Sequence, residues 1–119
     1  MLRMSAACLF GVVMASAYES ATADCPVRVN DMATVLATVF VVHDYCGLDM
    51  SHSPIETVLK RHGHNPEDFL ASTGRYGDMV TSEGVKALEF LMENGREKGC
   101  KEMIEIIESL CPDILPPRN

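Results

Sequence analysis

The run VRVNDMATVLATVFVVHDYC, residues 27–46, decides the fold. Its middle, Val35 to Val42 (VLATVFVV), is rich in β-branched residues and reads locally as a buried strand. Strands rarely exceed about ten residues, however, and this run extends for about twenty. Met32, Leu36, Val39, His43 and Cys46 recur at i, i+4, i+7, i+11 and i+14, the spacing of one helical face. Length and period together predict one long helix. Val35, Phe40 and Val42 make its far side apolar too, so the helix belongs at the centre, buried almost all round. His43, on the same seam, reads as a hydrogen-bonded core histidine.

Punctuation downstream of this helix is regular. Ser53-Pro54-Ile55-Glu56 offers an N-cap hydroxyl, proline at the first helical position and a glutamate that can bond back to the cap. Asn65-Pro66-Glu67-Asp68 repeats the device, and Thr81-Ser82-Glu83 offers a third start. Gly47, Gly63, Gly74 and Gly95 fall where left-handed C-terminal caps are wanted. The predicted helices run over about 27–46, 54–62, 66–72, 82–94 and 97–111. Pro112 and Pro116-Pro117 then end regular structure in a short proline-rich tail. The fold expected is all-α, a small bundle of four to five helices. Val85, Leu88, Phe90, Leu91 and Met92 supply the apolar positions of the fourth helix; Glu102, Glu105 and Glu108 mark a solvated face on the fifth.

Ahead of the bundle, Met1-Leu2-Arg3 and the apolar stretch from Met4 to Ala17 have the shape of a secretory signal peptide. Ala21-Thr22-Ala23 supplies the small residues of a cleavage site, giving a leader at 1–23 and a mature start at Asp24; Ala15-Ser16-Ala17 is the competing site. The apolar stretch is shorter than the roughly 20 residues a membrane span needs, so no stable membrane insertion is expected after cleavage. Cleavage also removes Cys8 and leaves Cys25, Cys46, Cys100 and Cys111. An even set after an export signal reads as two disulfides, and the spacing contains no C-x-x-C redox or zinc motif.

Helix geometry limits how those cysteines pair. Cys25 and Cys46 stand about 30 Å apart if one helix joins them, and Cys100 and Cys111 about 16 Å. A disulfide needs Cα atoms within about 7 Å, so both bridges must join the first helix to the last. If the two short helices form one leg of an up-down-up-down bundle, the first and last helices are antiparallel. That arrangement favours Cys25 with Cys111 and Cys46 with Cys100; the parallel pairing remains the alternative. The two spans differ by about 14 Å, which demands a bent tail or a frayed turn at one end.

Charge narrows the function classes. Ten Lys plus Arg against seventeen Asp plus Glu give a net charge of −7, and the longest basic run is Lys60-Arg61, so neither nucleic acid nor an anionic membrane surface is expected as a partner. Few aromatics and no Trp also speak against a carbohydrate or base-stacking platform. Asp44, Asp49 and Asp78 have no spacing that fixes two carboxyls across a substrate, and no serine or free cysteine has a nucleophile's motif context. The expectation is a protein that is not an enzyme and needs no cofactor.

Two segments remain as candidate binding sites. Arg75-Tyr76-Gly77-Asp78 combines a cation, an aromatic ring, a carboxylate and backbone freedom, so Arg75, Tyr76 and Asp78 are the candidate contacts for a protein partner. His62 and His64 straddle a helix end, with His52 and Met50 in the preceding loop; imidazole and thioether together suit copper, and imidazole alone zinc or nickel. The general plan, a small acidic disulfide-bonded helical protein exported to the periplasm, resembles that of acid-stress chaperones and of periplasmic immunity proteins that block delivered toxins. The resemblance is architectural. It implies a periplasmic or secreted interaction module binding a protein partner, with metal binding through the histidines as the alternative. In a chaperone of that type, acid would carry the chain through zero charge and expose the apolar faces of the fourth and fifth helices.

Overall fold

The computed structural model describes residues 25–117; the leader read at 1–23 and its cleavage site lie outside them. Five helices follow in chain order: α1 (Val29–Tyr45), α2 (Ile55–Arg61), α3 (Pro66–Leu70), α4 (Gly77–Asn94) and α5 (Arg96–Leu110), before a 3-10 turn at Pro112–Ile114. Among the described residues there is no strand, and the helices pack as one small disulfide-stapled bundle.

The β-branched run is helical because its neighbours bury it. Met32, Leu36, Val39 and Val42 are wholly enclosed, and so on the adjoining face are Ala33, Val35 and Ala37. Each large apolar side chain taken from water contributes roughly 1.5–3 kcal/mol, far more than the few tenths lost through the helix propensity of valine. α4 and α5 both lie against α1. The one buried polar residue of α1, Thr38, donates to the Thr34 carbonyl at 2.8 Å and so adds no unmet group to the core. His43 lies beyond this enclosed stretch and is exposed, not a core residue.

Both bridges tie α1 to the last helix, antiparallel: Cys25 to Cys111, with Cα atoms 4.4 Å apart, and Cys46 to Cys100 at 5.7 Å. The difference in span is absorbed outside helical structure. Cys25 sits in the non-helical lead-in before α1, and Cys111 is the non-helical residue after α5, with φ −156°. The bridges close loops of 86 and 54 residues, each of which removes about 4–5 kcal/mol of chain entropy from the unfolded state.

Three helix ends differ from the reading of the sequence. Ser53 does not cap α2: Pro54 occupies that position without a side-chain bond, and the Ser53 hydroxyl donates instead to the Ile114 carbonyl. α4 starts at Gly77, well before Thr81-Ser82-Glu83, because the chain winds through a tight turn in which Tyr76 N–H bonds the Asp68 carbonyl at 2.7 Å. Gly77 fits that turn because a Cβ would lie 2.6 Å from the Ser72 carbonyl oxygen. Gly74 is likewise no left-handed cap; a Cβ there would overlap the carbonyls of Glu67 and Asp68. Gly47, Gly63 and Gly95 do adopt positive φ, and Asn65 caps α3 through the Glu67 N–H at 3.2 Å.

Ser53 therefore belongs to a clasp between the start of α2 and the chain's C-terminal turn. Arg61 reinforces it with a 3.1 Å ion pair to Asp113, and Ile114 is fully buried beneath it. Ser53→Ala should cost about 1–2 kcal/mol in chemical denaturation, because it leaves a partly buried carbonyl without its donor. A neutral result would show that the hydroxyl is dispensable.

Candidate functional site

α4 is pinned to α1 by one side. Val80 and Leu91 enter the core, and on the same side Glu83 accepts from the Thr34 hydroxyl at 3.0 Å while holding Lys86 Nζ at 2.9 Å. The adjoining face is only partly covered. Val85 is 52% exposed and Met92 80%, with Leu88 half-buried between them. Positions 85, 88 and 92 fall on one helical face.

Between the Val85 and Leu88 part of this face and α1 lies a groove of about 380 Å³, and Met92 continues the face beyond the groove's lining. α1 contributes Ala37, Phe40 and Val41, α4 contributes Val80, Val85 and Leu88, and the end of α3 with its following turn closes one end. Apolar side chains dominate the lining, with Asp44, Thr81 and Ser72 as polar members. That volume and character fall within the range of ligand and side-chain pockets, about 300–1,000 Å³.

Gly84 lines this groove in the middle of α4. An interior helical glycine costs up to about 1 kcal/mol relative to alanine, and it commonly has a packing reason. Gly99 has one: a Cβ there would come within 2.9 Å of Leu91 Cδ1. At Gly84 no atom lies within 4 Å of the Cβ position, and φ is not positive. Nothing in the folded chain requires glycine there; its effect is to keep the α4 backbone open to the groove.

The candidates read from the sequence lie mostly outside the lining of this groove. Gly77 lines the groove, and Asp78 is exposed in the first turn of α4. Tyr76 is half-buried against Phe69, ring centroids 5.0 Å apart, and the Arg75 guanidinium lies 5.4 Å above the Tyr76 ring. The segment is thus a helix start and not a free loop. His62 and His64 sit at the corner between α2 and α3, where His64 meets Phe69 edge-on at 5.2 Å. Nε2 of each is buried with no hydrogen-bond partner. His52 is exposed, and Met50 is sealed in the core at 7% exposure. Among the described residues no three His, Cys, Asp or Glu side chains converge as a metal-holding group; His62 and His64 would supply at most half of a tetrahedral set.

His43 Nδ1 lies 3.2 Å from the Leu48 carbonyl and 3.4 Å from the Met50 N–H, bracing the loop after α1. The Ser51 backbone N–H, 2.9 Å from Asp49 Oδ1, holds the Asp49 carboxyl below its ordinary value, and this too is local turn chemistry. Comparison with protein-family models, curated proteins and solved structures found no match to the chain.

Two measurements follow. Lys86 first, and the Thr34 hydroxyl after it, hold the Glu83 carboxyl below its ordinary value of 4.5. A depressed carboxylate stabilises the fold above its unfolded pKa and loses that contribution as pH falls through the folded value. Glu83→Gln should therefore be less stable than the parent at pH 7, with the gap closing below about pH 4.5; urea midpoints at neutral and acid pH decide it, and a gap that widens in acid sinks the assignment. Gly84→Ala should raise stability by about 0.5–1 kcal/mol, since the added methyl meets nothing and favours the helix. A loss of stability there would mean that the glycine serves the fold after all.

Proposed function

We propose that this is a non-enzymatic, exported helical protein, periplasmic or secreted, acting as an interaction module of the inhibitor, immunity or acid-stress-chaperone type. It holds a protein partner in the groove between α1 and α4. The observation that carries the reading is the apolar face that Val85 and Leu88 present to the groove, continued by exposed Met92, beside a helix-interior glycine with no role in the fold's own packing. Single exposed apolar residues are ordinary; a contiguous stripe along a groove marks a contact surface. Two disulfides accord with an oxidising compartment, and no helix of the described residues is long and apolar enough to cross a membrane.

A rigid scaffold suits this role. The bridges hold both ends of α1, so the groove's α1 wall is formed before a partner arrives, and less ordering entropy is lost on binding. Phe69 lines the closed end of the groove and packs on Tyr76, which in turn lies under the Arg75 guanidinium.

A photo-crosslinking residue in place of Val85 should give saturable adducts with a discrete protein. The same residue in place of Lys101, exposed on α5, should not, and Gly84→Leu should suppress the Val85 adducts by filling the groove. Equal yields at the two positions, or adducts indifferent to Gly84→Leu, would remove the groove from the function.

A further inference from the structure

We infer that the occupant of the groove is a basic amphipathic helix of a partner protein, apolar on one side and flanked by lysine or arginine. The inference rests on the docking reading above and adds to it the chemistry of the partner. Val85 and Leu88 line the groove and Met92 extends their face, over eight residues of α4 and about 10 Å in all, and Gly84 admits close approach beside them. A stripe of that length with an open backbone suits a second helix laid along it, apolar face inward.

The edges of the groove select the sign of that helix. Asp44 lines the α1 side. On α4, Asp78 lies seven residues before Val85 and Glu89 four after it, so both flank the stripe on its outer side. All three carboxylates are exposed. The cations nearest in sequence are engaged elsewhere: Lys86 on Glu83 at 2.9 Å, and Arg75 above the Tyr76 ring. A helix seated between carboxylates on both sides is favoured when its own flanks are basic. A second copy of this chain would bring the same carboxylates face to face under a net charge of −7, and an acidic helix would meet the same repulsion.

The test uses the disulfide-intact protein and three synthetic 18-residue amphipathic peptides with the same leucine face, their polar faces being all lysine, all glutamine or all glutamate. Fluorescence anisotropy at physiological salt should rank lysine first, at least about tenfold tighter than glutamine, with glutamate weakest. Asp44→Asn, Asp78→Asn and Glu89→Gln together should weaken the lysine peptide at least about tenfold. Asp31→Asn, Glu97→Gln and Glu105→Gln, an equal change of net charge away from the groove, should weaken it less than about threefold. Gly84→Leu should abolish binding while thermal unfolding shows the fold retained. If both triple variants weaken binding equally, the attraction is diffuse and the inference is overturned. If the glutamine or glutamate peptide binds as tightly as the lysine one and Gly84→Leu still blocks it, the groove docks helices but the basic partner is wrong. If no peptide responds to Gly84→Leu, the inference and the docking reading both fail.

Discussion

An apolar helix with no polar side cannot be left facing water, and α1 is such a helix over most of its length. Covering it organises the rest of the bundle. α4 and α5 are the two other long helices, and both lie along it; the short leg of α2 and α3 and the buried Ile114 of the C-terminal turn complete the core. The disulfides act on the same helix from its two ends. They do not create the hydrophobic gain of burying α1, but they make it harder to lose, because an opened chain would still have α1 tethered to α5 above and below.

The groove is a by-product of unequal leg lengths. α1 and α4, with 17 and 18 residues, are each about 25 Å long, whereas the seven-residue α2 and five-residue α3 are pieces of about two turns and about one. A short, bent leg closes the end of the seam between the two long helices and leaves the remainder uncovered. Such a gap would ordinarily be filled by larger side chains; here the chain has glycine at position 84 and leaves valine and methionine exposed. The Thr34–Glu83–Lys86 cluster on the other side of α4 sets which face turns outward, so a polar link on one flank positions an apolar surface on the other.

Much of this was legible in the sequence, for identifiable reasons. The helical period of residues 32–46 outweighed β-propensity because burial energies exceed propensity differences. Helix rise and bridge length required both bridges to join the first helix to the last, the choice between the two pairings resting on the up-down-up-down arrangement. Asn65 was a cap because its partner N–H lies two residues away. What failed depended on groups distant in the chain. The Ser53 hydroxyl reached Ile114, 61 residues on, in preference to its own helix. Thr81-Ser82-Glu83 resembled a helix start, but the preceding turn had already wound the backbone, and Glu83 had been recruited by Thr34. Gly74 and Gly77 were needed for close carbonyl approach and not for positive φ, a distinction that composition does not carry. The groove was hidden for a related reason: Val85, Leu88 and Met92 have the same spacing as core positions, and only the placement of the shorter leg shows which face stays uncovered.

The nesting of the two bridges bears on how the chain reaches its native state. Cys46–Cys100 lies wholly inside the loop closed by Cys25–Cys111, so during synthesis the thiols of Cys25 and Cys46 exist long before either partner has been made. In that interval the sequence offers them only each other and Cys8. A continuous α1 holds Cys25 and Cys46 far beyond bonding distance, and so α1, once formed, guards against a premature cross-link between them. The run that serves as the centre of the finished core thus also serves, earlier, as a rigid spacer that keeps oxidation from outpacing folding.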